Sequence, residues 1–215
     1  MTQIKACLFD LDGVIVDTAV YHFQAWRRLA NELGFDFTEH QNEQLKGISR
    51  MESLELILNW GNVSLTEVEK VEWATRKNDW YLDLVKLMTP NEVLPGVAKF
   101  LTDLREAGIK IALGSASKNS KLILERINML GYFDAIIDGN NITKGKPDPQ
   151  VFLMGAEATN ALPSECVVFE DAVAGVQAAK AGGMKAIGVG SADVLTEADF
   201  VIATFEEMTL ERLNF

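Results

Sequence analysis

Two aspartates stand two residues apart in Phe9-Asp10-Leu11-Asp12-Gly13-Val14, directly after the largely apolar run 4–9. That run reads as a short buried strand, and ligands of open parallel sheets bind at the carboxyl ends of their strands. A carboxylate there can attack phosphorus and carry the phosphoryl group as an aspartyl phosphate. A second carboxylate can protonate the leaving oxygen or deprotonate the attacking one. Gly13 lets the chain turn sharply behind the pair. Taken alone, the same residues also describe an Asp-rich turn.

Three further segments offer matching chemistry. Ser115-Ala116-Ser117 follows the run 109–114, and hydroxyls with backbone N–H groups at a strand end can hold phosphate oxygens. Lys146, in Lys146-Pro147-Asp148-Pro149, supplies a cation against phosphate charge. Glu170-Asp171 closes the run Val167-Val168-Phe169 and offers the hard oxygen ligands that suit Mg²⁺. Each has a plainer reading by itself: a Ser-rich turn, a solvated lysine, a helix N-cap.

Residues spread this widely need a scaffold that brings strand ends together. Runs 4–9, 109–114, 166–169 and 185–189 read as strands, alternating with helical patterns near 96–107, 119–130, 149–160 and 172–181. That alternation predicts an α/β, Rossmann-like parallel sheet core with helices on both faces. Gly108, Gly131 and Gly182-Gly183 stand where helices should end. Residues 15–88 break the rhythm with helical spacing at 20–33, 39–46, 50–60 and 64–87. Trp26, Leu29, Leu33, Leu54, Leu58, Trp73, Trp80 and Leu84 are the expected inward residues there. Pro90 and Pro95-Gly96 mark a boundary. The expected organisation is therefore a core of 1–14 and 90–215, with a helical cap of 15–89 inserted after the first strand.

The 215-residue chain is 48% hydrophobic and 24% charged, with a net charge of −11. It can bury a sizeable core, and its acidity argues against nucleic acid or an anionic membrane as partner. An anionic substrate would require a local cationic cluster. Cys7 and Cys166 are expected as reduced, buried small hydrophobes, with a disulfide as the minor alternative. No run of about 18 apolar residues occurs, and no signal peptide is visible. A cytoplasmic monomer is the expectation.

Together, the order Asp10-x-Asp12, Ser115, Lys146, Glu170-Asp171 resembles the haloacid dehalogenase-like (HAD) phosphotransferase superfamily over nearly the whole chain. The resemblance implies Asp10 as nucleophile and Asp12 as general acid/base. It implies Mg²⁺ held by Asp10, the Asp12 backbone carbonyl, Asp171 and Glu170, and a phosphoryl group held by Ser115, Ala116 and Lys146. Segments 17–26, 45–50 and 115–119 are similar to the superfamily's sugar-phosphate mutase branch. That likeness implies interconversion of β-glucose 1-phosphate and glucose 6-phosphate, with a sugar 1,6-bisphosphate as activator and intermediate. Arg50, Ser117, Lys118 and Asn119 would then grip the non-reacting phosphate. Lys46, Gly47 and Ser53 would meet sugar hydroxyls, and Thr18 and His22 would couple cap closure to the placing of Asp12. Trp26 and Arg76 complete the substrate set. A sugar-phosphate phosphatase on the same fold is the alternative, and a catalytically dead phosphosugar-binding scaffold is a third reading.

Overall fold

The computed structural model describes residues 3–214. The chain forms two compact units, one of residues up to Asp17 and from Thr89 onward, the other Thr18–Met88.

The first unit is built on six parallel strands: β1 (Ala6–Phe9), β2 (Lys110–Gly114), β3 (Ala135–Ile137), β4 (Cys166–Glu170), β5 (Lys185–Val189) and β6 (Phe200–Ile202), in the order β3-β2-β1-β4-β5-β6. The chain runs outward from β1 on one side, then returns to build the other. The carboxyl end of β1 therefore lies at the point where strand order reverses, where such sheets open a crevice. Strands β3 and β6 are three residues long, too short to show a pattern in the sequence.

Helices cover both faces of the sheet. Val151, Phe152, Val176 and Ala179 join Leu8, Ala112 and Val168 in one apolar cluster. They come from α7 (Gln150–Ala158) and α8 (Val173–Ala181). On the other face Phe9, Phe100, Phe169 and Phe205 stack together, with the Phe9 and Phe169 rings 4.7 Å apart and nearly parallel. Fully burying such a ring contributes about 1.5–3 kcal/mol. Here the stack also fixes the strand ends, since the residues after Phe9 and Phe169 are Asp10 and Glu170.

Cys7 and Cys166 are both buried and free. The β1–β4 register pairs Cys166 with Ala6, so Cys7, one residue on, points to the opposite face.

Two helices fill the remaining core connections, α5 (Val97–Glu106) and α6 (Ser120–Arg126). The expected helix over 119–130 stops at Arg126 because Asn128, not Gly131, takes the left-handed conformation, with φ 58°.

The second unit contains α1 (Ala19–Glu32), α2 (Glu39–Glu43), α3 (Arg50–Trp60) and α4 (Glu67–Val85). The last three open on Thr38, Ser49 and Thr66 in capping boxes. Its apolar centre gathers Trp26, Leu29, Phe37, Leu54, Ile57, Leu58 and Ala74. Residues 15–17 belong to the sheet unit instead, because Leu94 N–H donates to Ile15 O and Val16 bridges Val93.

Trp26, Leu29, Leu54 and Leu58 are buried as expected, and Leu33, Trp73 and Trp80 are partly buried against the same apolar cluster. The residues of α4 that go deepest are Ala74, Lys77, Tyr81 and Val85, while Leu84 is only half-buried. The indoles sit at the rim, where Arg76 lies over Trp73 and Arg28 over Trp80, at 4.2 and 4.0 Å. The same helix carries a lysine, Lys77, to the interior.

Candidate active site

In the sheet unit, the adjacent ends of β1 and β4 carry the candidate residues Asp10, Glu170 and Asp171. Asp10 N–H donates to Phe169 O, which holds the two strand ends in register. Asp10 is 5% exposed, Lys146 6% and Glu170 0%. Lys146 Nζ donates to Asp10 Oδ1 at 2.7 Å and to Glu170 Oε1. Glu170 Oε2 also accepts the Ala172 N–H at 2.9 Å. Burial of this kind costs several kcal/mol per ion unless charges pair and their hydrogen bonds are made; here they are.

The electrostatics follow from this packing. Burial alone would lower the Lys146 pKa, but Asp10 and Glu170 outweigh it and hold the ammonium well above its ordinary range. Glu170 is raised to about 7, by burial first and by Asp10, with Lys146 opposing. Two buried carboxylates share one cation, and with Glu170 raised to about 7 the surplus negative charge is complete only above that pH.

Asp10, Glu170 and Asp171 each present a carboxylate oxygen within 4.8 Å of the others. Hard oxygens and surplus negative charge fit Mg²⁺. Two glycines make room for this cluster. A Cβ on Gly13, whose φ is +73°, would lie 2.1 Å from Asp171 Oδ2, and one on Gly175 would lie 1.9 Å from Glu170 Oε1. Asp12 is half-buried in the tight turn between them, where Gly13 N–H donates to Val16 O.

At the neighbouring end of β2, Ser115 is buried and its Oγ accepts the Ser117 N–H at 3.2 Å. Asn119 N–H donates to Ser117 Oγ, also at 3.2 Å. Ser115, Ala116, Ser117, Lys118 and Asn119 thus form one loop rich in amides and hydroxyls, with Lys118 exposed. The structure brings Asp10, Lys146, Glu170 and Asp171 into one cluster, with this loop on the adjacent strand.

The helical unit has a centre of its own. Lys77, 1% exposed, donates from Nζ to His22 Nδ1 at 2.8 Å. Its ammonium also lies 4.2 Å from the Trp26 ring centroid and 4.9 Å from that of Tyr81, a cation–π enclosure worth about 0.5–2 kcal/mol. The His22 and Tyr81 rings stack at 4.1 Å, and Tyr81 O–H donates to Thr18 Oγ1. With Lys77 as the ammonium donor, which has no lone pair to offer, Nδ1 accepts and His22 is assigned as the neutral tautomer protonated on Nε2. Burial first, then Lys77 and Arg50, hold His22 well below its ordinary pKa. Burial also lowers that of Arg50, against Tyr81 and Asp79.

Thr18, His22, Trp26 and Arg50 therefore converge. Lys46 instead pairs with Glu43 at 2.9 Å; Gly47 takes φ 73°, and Ser53 is buried in the first turn of α3. Arg76 lies elsewhere, bound to Glu32. Lys77 and Tyr81 escaped the sequence reading because a lysine in an amphipathic helix is assigned outward. The small residue Ala74, three positions before Lys77, was the signal for the inward face.

The neutral His22 gives stability a defined pH dependence. Its folded pKa is depressed, so its contribution is complete above about pH 6.5. That contribution is lost as pH falls toward the folded value, by up to about 1.4 kcal/mol per pH unit. His22→Asn is expected to flatten this part of the acid limb. Urea unfolding of both proteins at pH 8 and pH 5 checks it, and parallel losses would refute the assignment.

A family model described as haloacid dehalogenase-like hydrolase matches residues 4–183. β-Phosphoglucomutase of Bacillus subtilis is 45% identical over 213 residues, 98% of this chain and 94% of that protein. The phosphorylated carbohydrates phosphatase of Thermotoga maritima is 32% identical over 188 residues, 86% of this chain and 84% of that protein. The crystal structure of β-phosphoglucomutase from Clostridium difficile superposes with a TM-score of 0.95 at 43% identity, covering 99% of this chain and 96% of that one.

Proposed function

The chain belongs to the haloacid dehalogenase-like hydrolase family, and we propose that it is a β-phosphoglucomutase-type phosphotransferase that interconverts β-glucose 1-phosphate and glucose 6-phosphate. The observation that carries the chemistry is buried Lys146 joining Asp10 to Glu170 at the end of β1. Choice of mutase over phosphatase rests on the near full-length likeness to the B. subtilis enzyme.

In this reading, Asp10 Oδ attacks phosphorus of the bisphosphate, the P–O bond to the sugar breaks, and Asp12 gives its proton to the departing sugar oxygen. In the reverse sense, a sugar hydroxyl attacks the aspartyl phosphate, Asp12 takes the hydroxyl proton, and the carboxylate of Asp10 is regenerated. Using these two steps on opposite ends of the 1,6-bisphosphate moves the phosphate between positions. Mg²⁺ held by Asp10, the Asp12 backbone carbonyl and Asp171, with Glu170 in support, would offset charge between nucleophile and phosphate. Lys146 neutralises the transferring group, and Ser115 and Ala116 hold its oxygens.

The non-reacting phosphate needs a second holder. Ser117, Lys118 and Asn119 are the candidates for it in the sheet unit, and Arg50 is the candidate cation of the helical unit. Thr18, His22, Trp26, Lys46, Gly47 and Ser53 are the candidates for sugar contact and positioning. Lys77 joins them by fixing the His22 imidazole.

The test follows two products. Given β-glucose 1-phosphate, Mg²⁺ and a trace of the bisphosphate, glucose 6-phosphate should form far faster than free phosphate. Release of phosphate without isomerisation would instead establish the phosphatase reading. Arg50→Ala should lower isomerisation about 10–100-fold while hydrolysis of 4-nitrophenyl phosphate changes less than about two-fold, as expected for lost distal binding. Equal losses on both substrates would remove Arg50 from that role.

A further inference from the structure

The turn that follows β3, Asp138-Gly139-Asn140-Asn141, is packed against the carbonyl side of the loop that follows β2. Gly139 N–H donates to Ser117 O at 3.2 Å. Asn140 Nδ2 donates to Lys118 O at 3.2 Å and to Asp138 Oδ1 at 3.0 Å. A Cβ on Gly139 would stand 2.3 Å from Ala116 O, so the backbones touch there. Three successive carbonyls of the loop thus meet the turn.

The turn itself is braced. Asp138 is 3% exposed, and its Oδ1 also accepts the Asn140 N–H at 2.8 Å. Asn141 Oδ1 accepts the Asp138 N–H, and Asn141 N–H donates to Asp138 O. Ser120 Oγ gives Ser117 O a second donor at 2.8 Å. In a trans peptide the N–H points opposite to the C=O. Carbonyls of Ala116, Ser117 and Lys118 held toward the turn therefore aim the N–H groups of Ser117, Lys118 and Asn119 away from it. Ser117 N–H and Asn119 N–H also donate within the loop, to Ser115 Oγ and Ser117 Oγ, so the turn on one side and these bonds on the other together fix the shape that the amide- and hydroxyl-rich loop presents to an anion.

We propose that this turn is a strut for the phosphate-holding loop, and that Gly139 and Asn140 are positioning residues that set phosphate affinity without touching phosphate. The proposal rests on the reading that loop 115–119 holds phosphoryl groups, and it is independent of whether the enzyme isomerises or hydrolyses. Gly139 is required because any side chain drives the two backbones apart by more than half an ångström. Asn140 is required as a donor, so an isosteric aspartate cannot replace it.

The test measures binding of inorganic phosphate, and KM and kcat for 4-nitrophenyl phosphate with Mg²⁺, for wild type, Asn140→Ala, Asn140→Asp, Gly139→Ala and Thr143→Ala. Thr143 lies on the same connection but pairs with Gln150, so it controls for general loosening. Asn140 is exposed, and its variants should fold. Expected are about 5–10-fold weaker phosphate binding and higher KM in both Asn140 variants. In Gly139→Ala, kcat/KM should fall about 10–100-fold, the scale of a sub-ångström misplacement. Thr143→Ala should bind phosphate as wild type does. Unchanged phosphate affinity in any folded Asn140 or Gly139 variant, or a loss no larger than in Thr143→Ala, overturns the strut. Wild type that binds no inorganic phosphate overturns the reading of the loop itself. Wild type that binds phosphate yet fails to isomerise glucose phosphate overturns only the mutase assignment.

Discussion

Asp10→Asn should yield a folded protein whose phosphoryl transfer is at least about 10⁴-fold slower, a loss of roughly 5.5 kcal/mol of transition-state stabilisation. An amide of the same shape cannot form the aspartyl phosphate, so isomerisation and hydrolysis should disappear together. Stability should not follow activity down. The buried trio of Asp10, Lys146 and Glu170 carries a surplus negative charge, and the substitution leaves a neutral Lys146–Glu170 pair. Loss of Asp10's charge also removes one cause of the raised Glu170 pKa. Single-turnover kinetics with thermal unfolding beside it separate these effects. Turnover within about ten-fold of wild type would exclude Asp10 as nucleophile.

Lys146→Met is expected to reduce both activity and stability. Two buried carboxylates would then face each other without a cation, and stranding a buried partner typically costs about 3–5 kcal/mol. Activity should fall about 10³-fold or more, because the substitution removes the buried ammonium that lies on Asp10, a preorganised charge next to the transferring group. The pH dependence has a definite sign. Glu170 already sits near 7 with Lys146 present; without it the folded pKa rises further. A raised folded pKa stabilises at low pH and loses that stabilisation as pH rises toward the folded value. The deficit relative to wild type should therefore be smaller at pH 5 than at pH 8. Added Mg²⁺ should recover part of it at pH 8 by supplying charge to the same carboxylates. A variant as stable as wild type at pH 8 would mean that Lys146 does not serve as the shared cation.

The chemistry of the sheet unit was legible because it is written in local segments. Asp10, Ser115, Lys146 and Glu170-Asp171 each follow a strand or a marked turn, and strand ends of a parallel sheet meet by construction. The four longer strands were visible as apolar runs, whereas β3 and β6, with three residues each, carry too little pattern. The same shortness hid the turn after β3, whose polar residues read as an ordinary loop until Gly139 was seen against Ala116 O.

The helical unit was legible in kind and in most of its inward residues, but not in what lies deepest on α4. Sequence alone indicated that most residues between the first strand and Pro90 form helices and that Trp26, Leu29, Leu54 and Leu58 lie inside, and it offered an Asp-x-Asp pair as the head of a candidate phosphoryl-transfer set. It could not decide which residues of α4 go deepest, since Trp73 and Trp80 pack against the core only in part while Lys77 beside them is buried, and long side chains can lie along a rim. Tertiary packing settled that by turning Lys77 onto His22 and sending Arg76 to Glu32. It also settled what surrounds Asp10. The sequence supplies the carboxylate, but only the fold encloses it with one shared lysine and a second buried acid, a charge balance that no local spacing specifies.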